Sequence, residues 1–330
     1  FIEELTKAVI ESGVVGDTGD RYTAADATPS LAIPTSLHAS LLARLDRLAP
    51  TREVAQIGAA LGRSFSHELI SAVADMPDEV LDDALAQLVR AELVFRRGTP
   101  HDAEYTFKHA LVRDAAYDTL LRSNRIGLHA HIASVLERDF RETITARPEI
   151  LAQHYTSAGI AEKAIPYWLK AGHVALQKSH LAEATTNLRK GLKLISGLAD
   201  ENARAELELE LQAALAITLS GSMGLGRPEV EQAYLRAREL CDEIGSAPQL
   251  FPVLYGLFVF HWSRANLKEA LTNAEEMLRI AMEADNPAWM LIGHFSVGSV
   301  LWCVGRTAPA LDHLLRAQAI YDEKLHAPIA

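Results

Sequence analysis

The chain has 330 residues, of which 49% are hydrophobic and 23% charged, and its formal net charge at pH 7 is −11. This length predicts about two domains with well-formed cores, and the acidic balance argues against non-specific binding to nucleic acid or anionic lipid. The cysteines are Cys241 and Cys303, far apart in the sequence and outside any C-x-x-C spacing, so neither a disulfide framework nor a thiolate metal site is indicated. The sequence contains neither a signal peptide nor an apolar stretch long enough to span a bilayer, so we expect a soluble, cytoplasmic protein.

The first half of the chain predicts short helices and one hairpin. Helical spacing of apolar residues predicts helices over residues 1–12 and 36–48, separated by a segment, residues 16–34, that is mostly loop. Three compact helical segments are then predicted, followed by two β-prone runs that indicate a hairpin; they are residues 52–61, 66–74 and 77–91, and residues 93–95 and 105–107. Three helices followed by a hairpin is the order of a winged-helix module, so residues 51–125 are predicted to form a winged-helix-like domain.

From residue 126 to residue 330 the sequence predicts an α-solenoid. Small residues recur at the tetratricopeptide (TPR) spacing, in which a small residue of one helix packs against another twelve positions later. The predicted packing positions are Ala152, Ala164, Gly172, Ala184, Ala270, Gly298 and Ala310. The alternative is ordinary helix packing in a non-repeating bundle. The predicted fold class is therefore mainly α: a winged-helix-like domain with one β-hairpin, followed by TPR-like helix pairs.

No residue pattern predicts a catalytic or metal site. The sequence lacks a phosphate-binding loop and any Gly-Lys dipeptide, and the glycine-rich segment at residues 221–226 follows no predicted strand. His67-Glu68 has no second histidine at the zincin spacing, and His129 and His131 point away from each other on a helix. We therefore expect no catalytic residue, no metal ligand and no enzyme activity in this chain.

Charge also argues against DNA binding by the winged-helix-like domain. Residues 51–125 contain nine Lys or Arg and twelve Asp or Glu. The helix in the position of a recognition helix carries Asp78, Glu79, Asp82 and Asp83 against Arg90, and those acids would face phosphates. A DNA-binding regulator is therefore the weakest of the alternatives.

One candidate ligand site lies where the second hairpin strand meets the next helix. His109 would stand near a helix N-terminus, with Lys108 and Arg113 adding positive charge, which predicts an anion contact. The alternative is that His109 caps the helix or satisfies a local hydrogen bond. Aromatic residues are candidates for an effector site on the repeats by residue type alone: Tyr234, Tyr255, Trp262, Trp289 and Trp302.

Several short motifs resemble one protein family nearly from end to end. They are Phe-Ile-Glu-Glu-Leu at residues 1–5, Ile-Pro-Thr-Ser-Leu at 33–37 with Leu-Ala-Arg-Leu-Asp-Arg-Leu at 42–48, Ala-Gln-Ile-Gly-Ala at 55–59, Leu-Val-Phe-Arg-Arg-Gly at 93–98, and Tyr-Thr-Phe-Lys-His-Ala-Leu at 105–111. On these residues the chain resembles the C-terminal half of bacterial STAND-type (AAA-like) signalling ATPases, which are often fused to a class III adenylate/guanylate cyclase domain.

The resemblance implies the domain order and the role of each part. Residues 1–50 would be the end of the ATPase helical lid and a linker, with the ATP- or ADP-binding ATPase and any cyclase lying before Phe1. His109 would read the phosphates of the nucleotide bound in the parent protein. The winged helix would clamp the upstream ATPase domain, and a protein or small-molecule effector on the TPR groove would release it. The alternative is a constitutive TPR scaffold for protein–protein interaction.

Overall fold

The computed structural model describes residues 15–17, 22–24, 49–99 and 102–322. Within these ranges the chain is mainly helical with short strands, as predicted. It divides into two compact units, one of Phe1–Phe140 with Ser157–Gly159 and the other of Arg141–Thr156 with Ile160–Ala330. The predicted boundary between residues 125 and 126 falls inside a continuous helix, Arg122–Asp139, which packs on helices of the first unit.

The segment predicted as mostly loop contains a short hairpin. Strands β1 (Val15–Asp17) and β2 (Tyr22–Ala24) pair antiparallel, with Val15 opposite Ala24. The prediction missed this hairpin, and the β-prone Val15, Tyr22 and Thr23 are the signal that it overlooked. The helices predicted over residues 1–12 and 36–48 lie outside the described residues.

The rest of the first unit alternates short helices and strands. Its elements, in order, are α1 (Ala49–Leu61), β3 (Ser64–Ser66), α2 (His67–Val73), α3 (Asp78–Arg90), β4 (Val94–Arg97), β5 (Glu104–Phe107), α4 (Ala110–Asp118) and α5 (Arg122–Asp139). The predicted hairpin is confirmed, because β4 pairs antiparallel with β5. Strand β3, which was not predicted, adds to the other edge of β5 and completes a sheet of order β3-β5-β4.

Aromatic packing joins this sheet to the helices. Phe65 of β3 stacks on Tyr105 at a centroid distance of 5.7 Å and contacts Phe107 at 5.9 Å. Helix α1 approaches the same ring closely, since a Cβ atom on Gly58 would lie 2.7 Å from Phe65. A strand of three residues with one inward side chain has no readable period, which explains why β3 escaped prediction.

The second unit is a succession of helices. They are α6 (Arg141–Ala146), α7 (Pro148–Ser157), α8 (Ala161–Gln177), α9 (Leu181–Leu194), α10 (Glu201–Met223), α11 (Pro228–Ile244), α12 (Ala247–Ser263), α13 (Leu267–Glu283), α14 (Pro287–Cys303) and α15 (Thr307–Ile320). From α8 onward, successive helices contact each other, and α10 also contacts α8 and α12 directly. Alternate helices therefore form one layer, in a helical repeat-like arrangement.

The turns between several of these helices share one backbone conformation. The middle residue of the turn is left-handed at Ser179, Ala265, Asp285 and Gly305, with φ of 60°, 56°, 47° and 79°. In each case the next residue donates its backbone N–H to a carbonyl five positions earlier, in the last turn of the preceding helix, as Asn266 does to His261 at 2.9 Å. This bonding ends one helix and starts the next within a few residues, so neighbouring helices are held antiparallel.

Candidate functional site

His109 lies at the position predicted from the sequence, directly before helix α4. It is exposed and extended, with φ −133° and ψ 142°, and its side chain makes no capping hydrogen bond to the helix. The two neighbouring cations are each paired with a carboxylate: Lys108 Nζ lies 3.1 Å from Glu92 Oε2, and Arg113 Nη2 lies 2.6 Å from Asp114 Oδ1. The side chains of these two cations are partly buried, at 18% and 35% exposure.

The other candidate histidines of the first unit hold structural positions. His67 Nε2 lies 2.8 Å from Asp82 Oδ1, and His129 Nε2 shares a hydrogen bond of 2.8 Å with the hydroxyl of Tyr117. Burial, and secondarily the charge of Arg125, lowers the pKa of His129.

In the described part of the chain no group of three His, Cys, Asp or Glu side chains is arranged to hold a metal ion. The helices described there include none that is long and apolar enough to cross a membrane.

The small residues predicted to pack the repeats lie buried between neighbouring helices. The alanines among them are fully buried: Ala152, Ala164, Ala184, Ala270 and Ala310. The two glycines lie where neighbouring helices approach closely, because a Cβ atom on Gly172 would lie 2.5 Å from Leu188 and one on Gly298 would lie 2.9 Å from Leu314. These distances are too short for any larger side chain unless the contacting leucine or its helix shifts.

Helices α12 and α14 have no charged face. Neither Ala247–Ser263 nor Pro287–Cys303 contains an Asp, Glu, Lys or Arg, a composition expected of a helix buried on all sides. Both nevertheless expose large apolar side chains, including Tyr255 at 45%, Phe295 at 59% and Trp302 at 64%. The exposed aromatic groups therefore come from helices that have no charged side chain to present to water.

These side chains belong to the same layer of the repeats. Helices α10 and α12 contact each other, and α14 continues the alternation by packing against α13 and α15 as α12 packs against α11 and α13. Ile217 of α10 is also 53% exposed. We call Ile217, Tyr255, Phe295 and Trp302 the apolar face. Exposed apolar side chains that are rich in aromatic rings are typical of protein-binding sites.

Two of the five aromatic candidates are part of this face and three are not. Tyr234 is buried, and Trp289 stacks on Phe251 with ring centroids 4.5 Å apart. Trp262 is half-buried and packs against Phe258 at 5.7 Å. Residue type alone could not separate these roles, and it missed Phe295 and Ile217. The signal in the sequence that could have located this face is the absence of charged residues from both α12 and α14.

A histidine pair joins α14 to α15. His294 Nδ1 lies 2.9 Å from His313 Nδ1, so one ring donates the proton and the other accepts it. Burial lowers the pKa of His294, and the positive charges of His313 and Arg316 lower it further, against a smaller opposing effect of Asp312. The contact therefore requires that at least one of the two rings remain neutral.

We expect the packing of α14 on α15 to weaken as the pH falls below about 6.5, the ordinary pKa of histidine. A histidine whose folded-state pKa lies below its unfolded value contributes stability that is fully present above the unfolded pKa and is lost at lower pH. Hydrogen exchange of the α14 and α15 peptides at pH 7.5 and 5.5, corrected for intrinsic rates, measures this. The variant His294→Gln removes the titration and should flatten the difference; an equal pH effect in the variant would contradict the assignment.

Comparison with known proteins shows similarity to an uncharacterized protein and distant similarity to solved structures. No family model matches the chain. It is 25% identical over 327 residues to uncharacterized protein R02095 of Rhizobium meliloti (strain 1021), covering 98% of this chain but 31% of that protein, so the chain spans about a third of its relative. BtubC (BKLC) from P. vanneervenii superposes with a TM-score of 0.45 and 16% identity, over 74% of this chain and 91% of that one. The apo form of RapI gives a TM-score of 0.42 and 14% identity, over 87% and 67% of the two chains.

Proposed function

We propose that this chain is a non-catalytic regulatory and sensing segment of a larger, nucleotide-dependent signalling protein of the cytoplasm. Its TPR-like helix pairs bind an effector, and the apolar face is the observation that carries this proposal. A face built from Ile217, Tyr255, Phe295 and Trp302 supports a protein effector over a small molecule, because the exposed side chains are distributed over three helices. Aromatic side chains of this kind supply most of the binding energy in protein interfaces.

The first unit is proposed to be a winged helix that clamps the upstream ATPase domain of the parent protein. The order of α1, β3, α2, α3, β4 and β5, with its three-stranded antiparallel sheet, supports this assignment. Helix α3, in the position of a recognition helix, carries the acidic residues Asp78 and Glu79 in its first turn. Their negative charges oppose an approach to DNA phosphates. The proposed partner of this unit is therefore protein and bound nucleotide.

The proposed mechanism is a shift between a closed, ADP-bound parent and an open one. His109, with Lys108 and Arg113, contacts the phosphates in the closed state, and effector binding to the repeats favours the open state. An effector that prefers the open state by about 3 kcal/mol shifts the equilibrium roughly a hundredfold. A constitutive scaffold would use the same apolar face without this nucleotide dependence.

The test uses the full-length parent protein, purified and assayed for bound nucleotide. We expect ADP to co-purify, and His109→Ala to weaken ADP retention roughly tenfold, the value of one hydrogen bond to a charged group. His173→Ala, which removes an exposed histidine of α8, is the matched control and should change nothing. Hydrogen exchange of α12 and α14 should also differ between the ADP and ATP states. Absence of nucleotide, together with identical exchange, would leave the constitutive scaffold.

A further inference from the structure

A small cavity lies between helices α10, α11 and α12 of the repeats. Its volume is about 140 Å³, and its walls are mainly apolar: Leu209, Ala213, Ile217, Tyr234, Pro252 and Val253. An apolar cavity of similar size, about 150 Å³, is large enough to bind benzene. This cavity therefore has room for one apolar side chain of leucine or phenylalanine type.

One wall of the cavity is held in place by close packing. Tyr234 is buried, at 8% exposure. The ring lies so close to α12 that a Cβ atom on Gly256 would be 2.2 Å from its Cζ atom. The cavity is thus bounded by a fixed aromatic ring rather than by a mobile side chain.

The mouth of the cavity adjoins both apolar and acidic surface. Ile217, which lines it, is part of the apolar face, and Tyr255 follows the lining residue Pro252 by one helical turn. Glu210 also lines the cavity and is exposed. Its carboxylate makes no hydrogen bond or ion pair with any residue in the described ranges. A carboxylate at the rim of an apolar pocket favours a ligand that carries a positive charge beside its apolar group.

We propose that this cavity, bounded by Ile217 and Tyr234, is an anchor pocket for one apolar side chain of a partner polypeptide. Glu210 selects a lysine or arginine close to that anchor in the partner sequence. The inference rests on the proposed function, because it takes the effector to be a polypeptide that lies along the apolar face. It adds the position of the anchor and the sign of the charge that accompanies it.

A displayed library of random twelve-residue peptides, selected on this chain, provides the probe. We expect the enriched peptides to share a large apolar residue within a few positions of a lysine or arginine. A fluorescein-labelled member is then titrated by fluorescence anisotropy against the chain and its variants. Glu210→Lys should weaken binding at least tenfold, and a peptide with glutamate in place of its cation should recover most of that loss. Ala213→Leu, which fills the cavity from a half-exposed position, should also weaken binding about tenfold.

A control variant tests whether any loss of peptide binding is specific to the cavity. Glu275→Lys makes the same charge reversal on an exposed position of α13 and should leave the affinity unchanged. If peptides bind and Trp302→Ala weakens them, while Glu210→Lys and Ala213→Leu do not, the anchor pocket is wrong and the apolar face stands. A loss in Glu210→Lys that the charge-swapped peptide does not recover overturns the charge selection. Failure to enrich any peptide above background overturns polypeptide binding itself.

Discussion

Gly172→Ala is expected to lower the free energy of unfolding of the helical repeats by about 2 kcal/mol, within the range for overpacked cores. A Cβ atom at this position would lie 2.5 Å from Cδ2 and 2.6 Å from Cγ of Leu188. Because Leu188 is fully buried, its side chain must take a less favourable rotamer in the packed interface or α8 and α9 must separate, and either change costs stability. Urea unfolding followed by circular dichroism measures the loss.

A double-mutant cycle identifies the cause. Leu188 is fully buried, so Leu188→Ala alone should cost about 2–5 kcal/mol. In the double variant the methyl group that Gly172→Ala introduces occupies space that the leucine side chain has left. The double variant should therefore lose less stability than the sum of the two single variants, by about 1 kcal/mol or more. Additive costs would show that the two residues do not meet.

Gly127→Ala is the matched control, with the opposite expected sign. This glycine lies inside helix α5, and a Cβ atom there would have nothing within 4 Å. Alanine in a helix interior is favoured over glycine by about 0.5–1 kcal/mol, so protection of α5 against hydrogen exchange should rise. If Gly172→Ala and Gly127→Ala changed stability in the same direction, the space around the glycine would not be what decides whether alanine stabilises or destabilises.

The helical architecture could be predicted from the sequence because its signals are local. The period of apolar residues, the side-chain cap at Ser66 and the proline at Pro77 lie within a few residues of the helices that they delimit. Strand β3 could not be predicted in this way, since its one inward residue, Phe65, is stabilised by Tyr105 and Phe107, which lie some forty positions later. Short strands depend on contacts that are distant in sequence.

The candidate surface could be predicted only in part, for a related reason. Aromatic residue type pointed equally to Tyr234, Trp289 and Trp302, yet the first two are held by neighbouring helices and the third is 64% exposed. Which side of an apolar helix is covered depends on the helices beside it, and α12 and α14 have no charged residue to mark the exposed side. The cavity between α10, α11 and α12 is formed by three helices together and has no signature in any one of them.

Trp168→Ala is expected to have the largest effect on stability, about 3–5 kcal/mol, as for other buried tryptophans. Its ring is 1% exposed, Lys190 Nζ lies 4.4 Å from the ring centroid, and its Nε1–H donates to Thr156 Oγ1 at 2.9 Å. Trp168→Phe keeps much of the buried apolar surface but removes this donor. We therefore expect an intermediate loss of about 1–2 kcal/mol, from the hydrogen bond and the smaller ring, in the same urea titration.

Trp302→Ala provides the contrast that connects stability to function. Because Trp302 is 64% exposed, its removal should change the free energy of unfolding by no more than about 0.5 kcal/mol, yet it should weaken any polypeptide bound on the apolar face. Two tryptophans of one helical layer would then have different roles: Trp168 stabilises the repeats, and Trp302 binds a partner. A loss of stability in Trp302→Ala as large as that in Trp168→Ala would mean that another part of the protein already covers this face.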